Sequence, residues 1–465
     1  MKKIICLATA LSLISISSLA LADEAADSLQ YFHDKATQQK LQDADQKLKN
    51  KEYDKAFPLY KALADKGNKV AQYQVGYMYQ HGYGIEKDDQ SATAWYLKAR
   101  QQVLPAADYA LGALSFNGVG IGTALPYFKQ AALQNNPDGL YMMGYMNDSG
   151  TGVPVNKELA KQFYQKAADL SMPQAIYNLG YMYYMGQGAT KDFDKALLYF
   201  KKGEKVSAKC QSMLGLIYAL GLNNIPVDKK KAFDYFTTAA NQNLAVAEYN
   251  LGIMYYNGWG TASDSKNAVT WIAKAADQGL ARAEYFQGYL VYNGIGQTQN
   301  LAQAVELYSK AADQGLMDAQ FAAATLYHNG EGVEKDDQKA AVWYEGAANQ
   351  GSAKAQYMTG LFYQQGLGVL PDQATAAKWY ELAAKQGIDT AQLALAAMYA
   401  NGVGVAQDDK MAYVWLSLAA TSSNQQVRDM AVAALNTMLK IMNPDALNSA
   451  KELAKVYYTK YSAKH

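Results

Sequence analysis

The stretch AKAQYMTGLFYQQGLGVLPDQATAAKWYELAAKQG, residues 353–387, carries the pattern that decides the fold. Two segments with the apolar spacing of amphipathic helices flank a turn that contains Gly366 and Gly368. Glycine adopts a left-handed backbone at little steric cost, so the turn is a suitable helix stop. Asp372 precedes the second segment, where an aspartate caps a helix N-terminus. The stretch therefore predicts a helix–turn–helix unit.

The same unit recurs along most of the chain. Ten copies share a glycine or alanine within the first helical segment: Gly76, Gly112, Gly144, Gly180, Gly215, Gly252, Gly288, Ala324, Gly360 and Ala396. Single units cannot bury their apolar faces, whereas stacked units share a continuous core. We therefore expect an all-α fold, a right-handed α-solenoid of about ten repeats of about 36 residues with helical caps at both ends.

The unit resembles the Sel-1-like repeats, relatives of the tetratricopeptide repeats. The shared motif is A-x-A-x-Y-x-L-G-x-x-Y-x-x-G-x-G-V, then D, then A-x-x-W-Y-x-x-A-A-x-Q-G. Residues 353–387 match nearly all of it, with Thr359 in the leucine position. The resemblance covers residues 69–422 and implies a binding scaffold. For secreted bacterial members it implies envelope or host-interaction roles, including virulence.

The N-terminus has the pattern of a signal peptide. Lys2 and Lys3 precede an apolar run from Ile4 to Leu19, and Ala20-Leu21-Ala22 forms an A-x-A cleavage site. We expect cleavage near Ala22 and a periplasmic or secreted mature protein. The apolar run is short for a membrane span, and no later run is long enough. We therefore expect no membrane span in the mature chain.

The remaining boundaries follow from where the repeat pattern begins and ends. We predict a signal peptide over 1–22, a flexible N-terminus over 23–35 and an N-terminal helical cap over 36–68. Ten repeats over 69–422 precede a C-terminal helical cap over 423–465. The second repeat is short, and the third has Asn147 where most copies have tyrosine. These two departures predict an irregularity between residues 113 and 150.

Charge and motif content argue against several function classes. The formal net charge is +1, and loss of Lys2 and Lys3 takes it to −1, which does not favour a nucleic-acid partner. None of the four histidines has a catalytic or metal-binding spacing, and no phosphate-binding loop or nucleophile motif is present. We expect no catalytic, metal or cofactor site, and hence no enzyme.

Two rows of residues are candidate partner contacts. The residue after the helical glycine varies among the copies, so packing between repeats does not fix it. The residue four before the glycine is polar in eight of the ten copies. If these rows face the concave side of the solenoid, they bind a protein partner there. The candidates from both rows are Tyr77, Tyr145, Tyr181, Tyr289, Leu361, Glu248, Glu284, Gln320 and Gln356.

Trp259 is a separate candidate, because it lies inside the turn Gly258-Trp259-Gly260. An exposed tryptophan would be an interaction anchor, although we favour its packing back onto the solenoid.

These observations favour a non-catalytic adaptor that binds another protein. The alternative is a cell-wall regulator that holds peptidoglycan or a wall enzyme, since an aromatic groove also fits a glycan.

Overall fold

A computed structural model of the chain describes residues 35–118, 120–222 and 224–461. The predicted signal peptide and the stretch 23–34 lie outside the described residues. Every regular element within the described ranges is an α-helix. The chain divides into two compact units, one ending at Cys210 and the other beginning at Gln211.

The first unit contains the N-terminal helix pair and the first four repeats. Its helices are α1 (35–49), α2 (Tyr53–Asp65), α3 (Lys69–His81), α4 (Asp89–Gln101), α5 (Pro105–Gly118), α6 (Ile121–Leu133), α7 (Pro137–Ser149), α8 (Lys157–Asp169), α9 (Pro173–Met185) and α10 (Phe193–Lys202).

The boundary between the units falls within α11 (Ala208–Leu220). The helices of the second unit are α12 (Lys229–Ala240), α13 (Ala245–Asn257), α14 (Ser265–Asp277), α15 (Ala281–Asn293), α16 (Leu301–Asp313), α17 (Met317–Asn329), α18 (Asp337–Asn349), α19 (Ala353–Gln365), α20 (Gln373–Lys385), α21 (Asp389–Asn401), α22 (Asp409–Ala419), α23 (Gln425–Ile441) and α24 (Pro444–Tyr461).

Aspartate and asparagine start the second helix of nearly every repeat, as the sequence predicts. Asp372 Oδ1 accepts hydrogen bonds from the backbone N–H groups of Ala374 and Thr375 at 2.9 and 3.0 Å. The same role belongs to Asp88, Asn156, Asp192, Asp228, Asp264, Asn300, Asp336 and Asp408. The exception is α6, which begins at Ile121 after Gly120 without a capping side chain.

In seven repeats, the last glycine of the turn packs against the backbone of the second helix that precedes the repeat. A Cβ on Gly368 would overlap the carbonyl group of Asp337, the first residue of α18. Gly84, Gly188, Gly260, Gly296, Gly332 and Gly404 are in equivalent contact with the preceding second helix. Gly120 of the short second repeat has no such neighbour within 4 Å. The predicted irregularity therefore includes a missing contact between turn and helix.

The core lies between the first and second helices of each repeat. The helical glycine of the first helix faces an aromatic ring of the second in most repeats, as Gly360 faces Tyr380, whereas Gly252 faces Ile272. Tyr380 is buried together with Ala376, Ala383 and Ala384. Small residues thus let two helix backbones approach while the ring fills the space between them.

Candidate functional site

The first predicted row is accessible on the first helices of the repeats. Tyr145 is 41% exposed, and Tyr181 and Tyr289 are each 36% exposed. Tyr77 and Leu361 are half-buried. Large apolar side chains in this row are therefore within reach of a partner, and their binding role stays a prediction.

In the second unit, Tyr289 belongs to a surface group of rings that we call the Tyr289 cluster: Tyr249, Tyr256, Phe286 and Tyr289. The Phe286 and Tyr289 ring centroids are 5.7 Å apart, and Tyr256 meets Phe286 edge-on at 5.3 Å. A hydrogen bond with Tyr289 raises the pKa of Tyr256. The cluster joins two first helices, α13 and α15.

Sequence reasoning did not select Phe286 and Tyr256 as site residues. Phe286 lies three residues before Tyr289 on the same helix, and Tyr256 lies on the preceding repeat. The i, i+3 spacing could have identified Phe286, since such residues share a helix face. Tyr256 contacts Phe286 because of the register between the two repeats, which only the structure shows.

A second group, which we call the Tyr181 cluster, lies in the first unit. It comprises Tyr177, Tyr181, Tyr184 and Phe193. Successive ring centroids are 6.0 Å apart for Tyr177 and Tyr181, 6.3 Å for Tyr181 and Tyr184, and 5.4 Å for Tyr184 and Phe193. Like the Tyr289 cluster, it combines stacked and edge-on pairs on a partly exposed face.

Tyr77 belongs to a third group, near the N-terminal helix pair. Tyr53 and Tyr83 stack with centroids 4.3 Å apart, and Tyr77 lies 4.1 Å from the ring of His81. His81 Nδ1 lies 2.8 Å from the backbone oxygen of Tyr77. The imidazole is thus held beside the tyrosines.

Trp259 both packs onto the neighbouring repeat and stays partly exposed, the two alternatives that its position in the turn allows. Lys229 of the preceding repeat places its Nζ 4.9 Å from the indole ring centroid, and Gly260 packs on the carbonyl group of Lys229. The side chain nevertheless stays 42% exposed. Trp259 therefore contacts the preceding repeat through a cation–π interaction and still offers surface to a partner.

The polar row differs from the expectation, because its side chains are used inside the repeat array. Glu248, Glu284 and Gln356 are buried, and Gln320 is half-buried. Glu248 Oε2 accepts from Gln278 Nε2 at 2.6 Å, and Glu284 Oε2 accepts from Gln314 Nε2 at 2.7 Å. A surface role for these four residues has no support in the structure.

The glutamines at the ends of the second helices extend this row into what we call the glutamine ladder. Gln386 Nε2 donates to Gln356 Oε1 at 2.8 Å and to the carbonyl oxygen of Gly351 at 3.1 Å. Gln356 Nε2 in turn donates to Ala348 O at 3.2 Å. Equivalent side-chain pairs are Gln72 with Gln102, Gln211 with Gln242, and Gln320 with Gln350. The row is polar because it satisfies helix-end carbonyl groups.

One compact group of titratable side chains lies outside these rows, because Asp337 contacts both His328 and Lys335. In residues 35–118, 120–222 and 224–461, no group of three or more His, Cys, Asp or Glu side chains could hold a metal ion. Burial raises the pKa of Cys210 to about 11, so its thiol is protonated at neutral pH. His328 Nδ1 lies 2.6 Å from Asp337 Oδ1 within one repeat. Across the same ranges, no helix has the length and apolar character of a membrane span.

Comparisons with known proteins agree with the repeat pattern. The Sel1 repeat family model matches ten segments: residues 69–102, 105–136, 137–172, 173–204, 208–244, 245–280, 281–316, 318–352, 353–388 and 390–424. A curated relative is the ERAD-associated E3 ubiquitin-protein ligase component HRD3B of Arabidopsis thaliana. It is 33% identical over 108 residues, which are 22% of this chain and 17% of HRD3B. The match thus spans less than a fifth of that relative.

Two solved bacterial structures are similar over longer segments. One is c5321, a protective antigen of uropathogenic Escherichia coli strains with an SLR fold. It is 27% identical, with a TM-score of 0.50 over 87% of this chain and 95% of that chain. The other is a Sel1 repeat protein of Oxalobacter formigenes. It is 28% identical, with a TM-score of 0.46 over 67% of this chain and 90% of that chain.

Proposed function

The chain belongs to the Sel1 repeat family, and we propose that it is a non-catalytic scaffold that binds protein partners in the bacterial envelope or outside the cell. Proteins of this family generally mediate protein–protein interaction.

The Tyr289 cluster is the observation that supports this proposal most directly. Tyrosine and phenylalanine offer large contact areas with few rotatable bonds, and tyrosine is enriched among the residues that dominate binding energy. Tyr256, Phe286 and Tyr289 are fixed against one another at 5.3 and 5.7 Å before any partner arrives. Such preorganisation lowers the entropy cost of binding.

Two observations support the proposed compartment and the proposed host role: the N-terminal pattern and one similar structure. Lys2, Lys3 and the Ala20-Leu21-Ala22 site favour export. The similar c5321 is a protective antigen of uropathogenic strains. On this likeness we extend the proposal to host interaction.

Fractionation of a producing bacterium tests the compartment. We expect the protein in the periplasm or the medium, and N-terminal sequencing should give Asp23 as the first residue. Recovery of the full-length chain in the cytoplasm would contradict this part of the proposal.

Comparative affinity purification tests the binding role. Tyr256→Ser/Phe286→Ser/Tyr289→Ser should lose the proteins that copurify with the wild-type chain. The matched control is Val342→Ser/Leu382→Ser, which changes exposed apolar residues on the second helices α18 and α20 and should keep them. Equal loss from both variants would contradict a specific contact. Salt-resistant sedimentation with purified cell-wall sacculi would favour the peptidoglycan alternative instead.

A further inference from the structure

The third repeat lacks a ring that most repeats place between helices. Three residues after the helical glycine stand Tyr79, Tyr183, Tyr218, Tyr255, Tyr327, Tyr363 and Tyr399, whereas the third repeat has Asn147. Tyr327 packs edge-on to Trp343 of its own second helix, with centroids 5.3 Å apart. Tyr255 packs edge-on to Phe233 of the preceding second helix at 5.2 Å.

The residues equivalent to those two walls are present around Asn147. Phe163 is the seventh residue after the cap of α8, as Trp343 is in α18, and Leu125 corresponds to Phe233. Both line a cavity of about 410 Å³. Asn147 does not fill it, because Asn147 Nδ2 donates to the carbonyl oxygen of Met143 on its own helix at 2.7 Å. The missing tyrosine ring has thus left an open space with its walls intact.

The lining of this cavity is mostly apolar, and its charged side chains are both positive. Lys129 and Lys166 are the charged lining residues, Asn135 and Asn147 are the neutral polar ones, and the further apolar ones include Ala132, Met143, Val153 and Leu159. Both lysines are exposed, and no salt bridge is formed by either within the described ranges. Leu133, also in the lining, is 70% exposed. The volume lies in the range of about 300–1,000 Å³ that is usual for ligand sites.

We propose that this cavity is an anchor pocket for a protein partner: it receives one aromatic side chain of the partner beside a carboxylate that pairs with Lys129 and Lys166. The inference rests on the proposed function, since it names the chemistry of a protein contact. An aromatic ring is the occupant because each of the two wall positions contacts a tyrosine ring in another repeat: Trp343 contacts Tyr327, and Phe233 contacts Tyr255. A carboxylate neighbour follows from the two lysines and from the absence of acids in the lining.

Methyl NMR of the full mature chain with labelled methionine tests the pocket. Met143 lines the cavity and is buried, so its methyl signal reports occupancy. The probe is acetyl-Asp-Phe-amide. We expect a saturable shift of the Met143 methyl signal, assigned with Met143→Leu, and no comparable shift with acetyl-Asp-Ala-amide. Equal shifts with both peptides would overturn the assignment of an aromatic occupant.

Asn147→Tyr is the matched control, because it restores the residue that seven other repeats carry. We expect this variant to fold with an unchanged or higher melting temperature and to bind acetyl-Asp-Phe-amide at least about tenfold more weakly. Asn147→Phe provides a second filling variant. Binding that survives in a folded filling variant would overturn the proposal.

The charge is tested separately with Lys129→Gln/Lys166→Gln. Two exposed ion pairs predict a dissociation constant about two- to tenfold higher for acetyl-Asp-Phe-amide and no change for acetyl-Asn-Phe-amide. Octanoate tests the alternative ligand, a fatty acid that carries both an apolar chain and a carboxylate. If octanoate shifts Met143 and the peptide does not, the pocket takes an acyl chain and the peptide assignment is wrong. Because the probes are defined peptides, the NMR test of the pocket does not depend on finding a cellular partner by affinity purification. The pocket and the proposed function can therefore fail separately.

Discussion

At the scale of single residues, the helical glycine sets the direction of the ring that faces it. Where the residue is Gly360, the Tyr380 hydroxyl donates to Gln364 Oε1 at 2.7 Å. Where it is Ala324, the Tyr344 hydroxyl lies 3.0 Å from Thr325 Oγ1 instead. A Cβ on Gly360 would lie 2.7 and 2.8 Å from two carbons of the Tyr380 ring. In that repeat, the alanine is therefore accommodated together with a different hydrogen-bond partner for the ring.

We predict that Gly360→Ala destabilises the second unit by about 1–3 kcal/mol, although alanine is the better helix former. Adding Leu361→Thr should recover part of the loss, because the threonine hydroxyl offers Tyr380 the partner that Thr325 gives Tyr344. Urea unfolding measures both effects. Gly122→Ala is the control, since nothing lies within 4 Å of a Cβ there and the change should be neutral or stabilising. Equal stability of Gly360→Ala and wild type would contradict the packing argument.

The two buried glutamates of the glutamine ladder are a second residue-scale feature. Burial raises the pKa of Glu248, against the opposing effects of Lys274 and of the hydrogen bond from Gln278. The folded state then holds the proton more tightly than the unfolded state. The free energy of unfolding therefore falls as pH rises from the ordinary glutamate pKa through the raised value, and the cost is fully present above it.

We predict that Glu248→Gln stabilises the protein at pH 7 by about 1 kcal/mol, because the new amide can donate to Ala240 O as Gln356 donates to Ala348 O. The pH-dependent part of this gain should vanish near pH 4, because Glu248 of the wild-type protein, whose pKa is raised, carries its proton there. Thermal unfolding at both pH values measures it. The reverse change, Gln356→Glu, should destabilise with the same pH dependence. A less stable Glu248→Gln at pH 7 would contradict this account of the ladder.

At the scale of elements, the turn glycines couple one repeat to the previous one. We predict that Gly368→Ala costs about 1–2 kcal/mol for its left-handed backbone and about 1–3 kcal/mol more for its overlap with Asp337. Gly315→Ala isolates the first cost, because Gly315 has φ 82° and nothing within 4 Å of a Cβ. Circular dichroism during urea unfolding gives both values. Equal costs would mean that the contact between repeats contributes nothing.

The elements were predictable because their signals are local. A capping aspartate such as Asp372 and a turn glycine such as Gly366 act within a few residues, and α20 begins and α19 ends where these residues predict. The glutamine ladder was not predictable in this way. It joins Gln356 to Gln386, 30 residues apart, so its polar pattern looked like a solvent-exposed row. Burial depends on the register between repeats, which single-sequence periodicity does not give.

The candidate site was predictable only in part, for the same reason. Tyr289 was selected from variation among the copies, and the structure leaves it exposed. Its neighbour Tyr256 comes from another repeat, and the cavity beside Asn147 depends on walls from α6 and α8. The missing tyrosine was visible in the sequence, but the space it leaves required the packed helices.

At the scale of the whole molecule, we assign internal packing and external binding largely to different rows of one repeat. Helical glycines, capping acids and the glutamine ladder hold the repeats together. The residues after the helical glycine vary among the repeats; Thr325 contacts the Tyr344 hydroxyl, and several others are large and exposed. A chain that repeats its structural rows and varies its surface row is suited to binding an extended partner.

In-cell photo-crosslinking from positions 289 and 361, with position 342 as an exposed control on a second helix, tests this claim most directly. The account predicts one dominant protein adduct from 289 and 361 and none from 342, with the adduct identified by mass spectrometry. Equal adducts from all three positions, or no adduct from 289 and 361, would contradict the claim that the first helices present the binding surface.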